Sequence, residues 1–377
     1  MSDDPPLLSR IEAVEDPALE RTLGELGLVE DVSVSDGVAA VTLRFDAPYA
    51  PDEKAIGDRL REVVRAAGLE PELSAWDGNP DPNNPLESVR NVIPVASGKG
   101  GVGKTTVATN LATALAERGA TVGLLDADIY GPNVPGMLGV EAEPGLSMSG
   151  TLVPPVVDEL RVMSMDFLTE GDEDPAMLRG PMVDKLLAEL IRDVEWGTLD
   201  YLFVDLPPGT GDEQLTLMQH VPVTGAVVVT TPEDIALGDV RKGIRMFLDQ
   251  GIPVLGLVEN MSSFHCPSCG DDHPLYGTGG GEQLATEFDL PLLASIPMDP
   301  EIRASGDATT AVTVVEDTPA ADQFRQLRDA VTNQVGAVNR AAVADLDPQS
   351  SDNPLVEPTQ GEKDGREDRT EQHDATS

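Results

Sequence analysis

The chain has 377 residues, enough for two or three domains, and 40% hydrophobic content with only 3% aromatics calls for cores of Val, Leu, Ile, Ala and Met. A net charge of −42 excludes sustained attraction to nucleic acid or an anionic membrane; spread along the whole chain, it predicts adaptation to a high-salt (halophilic) cytosol, where screening over ~3 Å relieves self-repulsion. Two cysteines, Cys266 and Cys269, argue against a disulfide-stapled secreted fold, and an acidic opening with no apolar run near the ~18 residues of a membrane span predicts a soluble, cytoplasmic protein.

Residues 1–76 read as a small α+β domain. Ile56, Leu60, Val63, Val64 and Ala67 recur at helical spacing, and Val32 and Val34 face Val41, Leu43 and Phe45 across the turn residues Asp36-Gly37, which predicts a hairpin. Residues 77–88 are too rich in Pro, Gly and Asn for helix or strand and form a linker. Residues 89–340 alternate apolar strands with amphipathic helices: the strands are Val92–Ala96, Thr121–Leu125, Leu160–Met165, Tyr201–Val204, Ala226–Thr230, Val254–Val258 and Leu292–Ile296. Helical stripes such as Met182, Leu186, Leu187, Leu190 and Ile191, or Val240, Ile244, Phe247 and Leu248, lie between them. This is an α/β pattern, a mainly parallel sheet covered by helices on both faces, whose ligands bind at the carboxyl ends of the strands. A last helix is predicted from Ala320 to about Asn339, and residues 341–377 as an acidic tail, disordered beyond Asp345 and without a basic amphipathic helix for a membrane.

Between the first strand and helix of this second domain, Gly98-Lys99-Gly100-Gly101-Val102-Gly103-Lys104-Thr105-Thr106 fits the phosphate-loop pattern G-x-x-x-x-G-K-[ST]. Backbone N–H groups around the glycines would face phosphates at a helix N-terminus, Lys104 would contact the β- and γ-phosphates, and the Thr105 hydroxyl would hold magnesium. Two further strand ends carry carboxylates. Leu124-Leu125-Asp126-Ala127-Asp128 presents two where an attacking water or a magnesium shell would be ordered. Leu202-Phe203-Val204-Asp205 has the layout of a strand whose terminal Asp205 holds magnesium through water, and the following Pro207-Pro208-Gly209-Thr210-Gly211-Asp212 is a rigid turn that could sense the γ-phosphate.

Cys266-Pro267-Ser268-Cys269 carries all the thiol chemistry. Zinc and [4Fe–4S] sites both usually take four protein ligands, and one chain offers two thiols. A symmetric dimer would complete a Cys₄ site at its two-fold axis, whereas His265 and His273 could complete an N₂S₂ zinc set within one chain.

The second lysine of the loop, Lys99, resembles that of the deviant phosphate loop of ParA/MinD-type ATPases, where this residue reaches across a dimer interface to the partner's nucleotide. Asp128 matches the aspartate that positions the attacking water in those proteins, which leaves Asp126 to the metal shell or the loop geometry. The first domain, with Asp16-Pro17-Ala18-Leu19 and Ala47-Pro48-Tyr49-Ala50-Pro51, resembles a small domain of iron–sulfur assembly proteins; Ala50 stands where many relatives carry cysteine, which favours a docking role. The deviant loop, Asp126–Pro132, Val204–Asp212, Val258-Glu259-Asn260-Met261-Ser262, the cysteine pair, Gly279-Gly280-Gly281 and Ile296-Pro297-Met298-Asp299, in this order, resemble the Mrp/ApbC family of iron–sulfur cluster carrier ATPases. The resemblance implies a homodimer with ATP and Mg²⁺ between the subunits, slow switch-type hydrolysis, and a [4Fe–4S] cluster bridged by paired Cys266 and Cys269. It also implies Asn260, and beside it Pro297 and Asp299, against the adenine, a cluster donor, and apo-protein clients. Asn133 replaces the serine that many relatives have after Gly-Pro. The alternatives are a ParA/MinD-like spatial regulator and a zinc-binding structural ATPase.

Overall fold

The hairpin of the first domain turns on Asp36 and Gly37, both at positive φ (51° and 82°), the type I′ geometry that matches strand twist. The computed structural model describes residues 6–76, 86–129, 131–168, 186–187, 189–209, 214, 218, 221–266, 268–269, 271–311 and 318–345. Its first unit comprises α1 (Leu7–Glu12), β1 (Val29–Ser35), β2 (Val38–Leu43), α2 (Pro51–Ala66) and β3 (Glu70–Ala75). Val32 pairs with Val41 as the alternation requires, and α2 lays Ile56, Leu60 and Val64 onto the sheet. The sequence pattern does not reveal β3, which runs parallel to β2: most of Glu70-Pro71-Glu72-Leu73-Ser74-Ala75 stays in water, so no apolar run announces it.

The second unit follows as β4 (Val89–Ser97), α3 (Lys104–Glu117), β5 (Val122–Asp126), α4 (Val134–Leu138), β6 (Gly145–Leu146), β7 (Leu152–Val153), β8 (Val156–Val157), β9 (Leu160–Ser164), β10 (Leu199–Asp205), β11 (Ala226–Thr230), α5 (Asp234–Asp249), β12 (Val254–His265), β13 (Asp272–His273), α6 (Gly280–Phe288), β14 (Leu292–Met298), α7 (Pro300–Asp307) and α8 (Pro319–Val343). The order β9-β5-β10-β4-β11-β12-β14 is parallel throughout, with β8 and β13 added antiparallel to β9 and β12. One face of the sheet packs Val107 and Leu111 of α3 and Phe324 and Leu327 of α8; the other packs Val240 and Ile244 of α5 and Leu284 of α6. That is the expected layered sheet, and the crossover from β4 leaves the loop 98–103 at a carboxyl edge.

Several boundaries differ from the sequence reading, three of them with a physical cause that matters. Strand β12 continues to His265 although Glu259–His265 lacks an apolar run, because it pairs onward with β14 and β13. Helix α8 runs to Val343, past the predicted start of the tail, because Ala341 is sealed into the core of the first unit. Residues 86–88 lead directly into β4, with Leu86 buried; the rest of the predicted linker (77–85), the tail beyond 345 and Met182 of the predicted helical stripe lie outside the described residues.

The first unit is docked on the amino ends of the strands, opposite the loop 98–103. Asn91 and Asn339 both donate to the Asp46 carbonyl (2.6 and 3.2 Å), the Tyr201 hydroxyl donates to Pro48 O (2.7 Å), and Tyr49 donates to Gly119 O (2.7 Å). Arg340 of α8, fully buried, donates to Asp16 (2.5 Å) and Glu53 (3.2 Å) of the first unit. Ala50 is 1% exposed and packs with the second unit's core, so the position that carries cysteine in many relatives faces no solvent here. No helix of the described residues is long and apolar enough to cross a membrane.

Candidate nucleotide and metal site

Gly98 lies where α5 crosses the loop: a Cβ there would sit 2.6 Å from the Val240 nitrogen, so only glycine lets the two backbones approach. At the other end Gly103 takes φ 83° to start α3, aiming the first N–H groups of the helix out of the sheet edge. Between them the loop runs as Lys99, Gly100, Gly101 and Val102, and α3 opens with Lys104, Thr105 and Thr106.

The two predicted magnesium residues meet. Asp205, fully buried at the end of β10, accepts from Lys104 Nζ at Oδ1 and from Thr105 Oγ1 at Oδ2, both at 2.6 Å. Burial raises the Asp205 carboxyl, and the Lys104 ammonium opposes that rise. Asp128 is 3.9 Å from the same ammonium, so Lys104 stands between the two strand-end carboxylates. Asp126 does different work: its oxygens accept from Asp128 N (3.2 Å), Val134 N (3.0 Å) and Ser164 Oγ (3.2 Å), which folds the loop after β5 and holds α4. Burial, reinforced by the Asp205 charge, pushes its carboxyl up to about 7.

Asn260 lies under the loop. Its amide donates to Val102 O at 2.8 Å, and a Cβ on Gly103 would come within 2.2 Å of that nitrogen. Beside it opens a cavity of about 610 Å³ lined by Gly103, Thr106, Asn260, Phe264, Pro297 and Asp299, among others. Pro297 and Asp299 thus share one wall with Asn260, because β14 pairs Ile296 with Asn260 and Met298 with Phe264. The Asp299 carboxylate is already engaged as the cap of α7, accepting from Glu301 N at 2.8 Å. Met261 takes φ 57° at an irregularity between Asn260 and Phe264, which bends β12 around the cavity.

Lys99 does not reach the phosphate side of the loop in this chain. Its ammonium pairs with Glu233 Oε2 at 2.6 Å, just before α5, and both side chains are about a third exposed.

The thiols sit at the tip of a hairpin. Strands β12 and β13 pair Phe264 with His273 and His265 with Asp272, and Cys266 N donates to Asp271 O (3.0 Å). Cys269 Sγ lies 3.6 Å from His273 Nε2, and the donor atoms of Cys266, Cys269 and His273 all lie within 4.8 Å of one another. The N–H groups of Cys269 and Ser268 hold the Cys266 thiol below its ordinary value. The side chain of His265, together with Tyr130, Pro267, Gly270 and the turn Thr210–Asp212, lies outside the described residues.

Residues 88–332, from the start of β4 into α8, match the family described as NUBPL iron-transfer P-loop NTPase. The chain belongs to that family. Residues 7–71 of this P-loop NTPase match a second family, described as iron–sulfur cluster assembly protein. It is 41% identical over 350 residues to the iron–sulfur cluster carrier protein of Synechocystis, covering 89% of this chain and 98% of that one. It is 48% identical over 252 residues to that of Escherichia coli K12, covering 66% and 68%. Among solved structures, the nucleotide-binding protein of Archaeoglobus fulgidus in complex with ADP, in which cobalt was found, superposes with a TM-score of 0.56 at 35% identity, covering 65% of this chain and 97% of that one. The septum site-determining protein MinD of Pyrococcus horikoshii with Mg-ADP gives 0.50 at 25% identity, covering 63% and 94%. Sequence reasoning about this NTPase missed Glu233 and Phe264. Nothing local marks Glu233 as a partner of Lys99, but Phe264 is four residues from Asn260 on a strand, a spacing that could have placed both on one face.

Proposed function

We propose that this NTPase is an ATP-dependent iron–sulfur cluster carrier: a cytoplasmic homodimer that holds a [4Fe–4S] cluster between its subunits and delivers it to apo-proteins. The observation that carries this reading is the continuity of β12, which holds Val102 of the phosphate loop through Asn260 and ends one residue before Cys266. A change of nucleotide at the loop is thereby passed along one strand to the thiols. Four irons need four ligands, and the two-fold axis of a dimer supplies Cys266 and Cys269 twice.

Lys104 leaves Asp205 for the β- and γ-phosphates, Thr105 and Asp205 hold magnesium, and Asp128 orients the water for a slow, switch-type hydrolysis. The cavity beside Asn260 takes the adenine, with Pro297 on its wall. Asp299 acts there through backbone placement, since its carboxylate caps α7. Lys99 exchanges Glu233 for the partner's nucleotide, an exchange favoured by the low worth of a partly exposed ion pair, about 0–1 kcal/mol. The MinD-like alternative shares the fold but gives the cysteine hairpin no purpose. The relatives named as cluster carriers and the cobalt found in the Archaeoglobus protein favour metal chemistry at these thiols.

Anaerobic reconstitution with iron and sulfide tests the reading. One cluster per two chains is expected, with visible charge-transfer absorption that Cys266→Ala removes; a wild type that gains no such absorption would refute it.

A further inference from the structure

We propose that Cys266, Cys269 and His273 of a single subunit form a site for one thiophilic divalent cation, distinct in stoichiometry from the cluster shared by two subunits. It uses the same thiols as the proposed function but does not depend on cluster binding.

The site is built by strand register. In an antiparallel ladder, residues at every second position share a face, so the pairing of Phe264 with His273, extended by the Cys266 N–H to Asp271 O bond, puts His273 and Cys266 on one side of the hairpin. The tip then returns Cys269 to that side, with Sγ 3.6 Å from the imidazole Nε2. A tetrahedral ion bound at ~2.3 Å to sulfur and ~2.0 Å to nitrogen separates those two ligand atoms by about 3.5 Å, so the pair already stands at ligand spacing. The third donor atom lies within 4.8 Å of the others and needs only a side-chain adjustment to close the set.

The donor chemistry selects the ion. Two thiolates and an imidazole suit zinc, cobalt or ferrous iron and disfavour magnesium and calcium. Three protein ligands leave a fourth position open, as in exchangeable rather than closed structural sites. Cys269 is exposed at the hairpin tip, so an ion held there is within reach of solvent and of an acceptor. When two subunits share a cluster, four thiolates satisfy its four irons and the imidazole is left over. His273 therefore belongs to the one-subunit state alone.

Cobalt titration of the reduced, metal-free full-length protein under anaerobic conditions tests this, followed by thiolate-to-cobalt charge transfer and the visible d–d bands of tetrahedral cobalt. Saturation is expected at one cobalt per chain, with the protein still monomeric by sedimentation. His273→Ala should weaken binding by roughly tenfold or more and alter the d–d bands, while leaving cluster reconstitution intact. His273→Cys should restore tight binding with stronger charge transfer. Saturation at half a cobalt per chain, unchanged cobalt affinity and spectrum in His273→Ala, or loss of cluster reconstitution in that variant would each overturn the proposal. A wild type that binds cobalt as described but takes up no cluster would refute the carrier reading and leave this site standing.

Discussion

The side-chain amide of Asn260 donates to the backbone carbonyl of Val102 at 2.8 Å, which ties the middle of the phosphate loop to the strand that leads into Cys266. The phosphate loop is thus bonded to the strand at the base of the cysteine hairpin. Removing the amide in Asn260→Ala should cost about 1 kcal/mol in nucleotide affinity, a five- to tenfold rise in Kd by isothermal calorimetry. Cluster loading without nucleotide should be unchanged, because no thiol is touched.

Gly103→Ala should be far more damaging. The position has φ 83°, and the added methyl would collide with the Asn260 amide, so nucleotide binding should be lost, at a stability cost of at least about 1 kcal/mol. Gly136→Ala in α4 is the control: nothing lies within 4 Å of the new methyl, and thermal melting should show no loss.

The two loop lysines should separate. Lys104→Ala removes the ammonium from buried Asp205 and should abolish nucleotide binding; Lys99→Ala should keep nucleotide binding but lose nucleotide-dependent dimerisation in analytical ultracentrifugation. Glu233→Ala, which frees Lys99, should leave dimerisation intact or strengthen it. Equal loss in the Lys99 and Lys104 variants would contradict the assignment of separate roles.

Where α8 meets the first unit, one guanidinium serves two carboxylates. Arg340 is already matched by Asp16, so an ionised Glu53 is a surplus buried charge, and burial, only partly offset by Arg340, pushes its carboxyl up to about 7. The folded state then keeps a proton up to about pH 7 that the unfolded chain releases near 4.5. More protons are bound when folded between those values, so this contribution to stability is present below about 4.5 and declines as pH rises through 7, by at most roughly 3 kcal/mol. Chemical denaturation across that window should show a shallower pH slope in Glu53→Gln than in the wild type.

The net charge of −42 predicts one further response. Self-repulsion screened by salt should make the melting temperature climb steeply with KCl, and a flat dependence between dilute and molar KCl would refute the high-salt reading.

Local chemistry was the legible part. The spacing of Gly98, Gly103, Lys104 and Thr105 marks a phosphate loop because a turn, a helix start and two side-chain contacts must be met within a few residues, and strand-end Asp205 is marked by the apolar run before it. What escaped depends on contacts between distant segments. Asn91 and Tyr201 dock the first unit by donating to backbone carbonyls of Asp46 and Pro48, which no residue pattern signals; that Asn91 is fully buried emerges only in the fold. Strand β12 beyond Val258 is held by pairing with β13 and β14 and not by its own hydrophobicity, so its reach to the cysteines was invisible to periodicity. The resemblance separates Asp128, as the water-positioning aspartate, from Asp126, left to the metal shell or the loop geometry; the three donors that converge on Asp126 favour the loop.

The coupling of nucleotide to cluster is tested most directly by the rate at which a reconstituted cluster passes to an apo-protein acceptor, with and without MgATP, in the wild type and in Asn260→Ala. A rate that depends on MgATP in the wild type and has lost that dependence in Asn260→Ala is the predicted result. A wild-type rate indifferent to MgATP, with nucleotide shown to be bound, would contradict it.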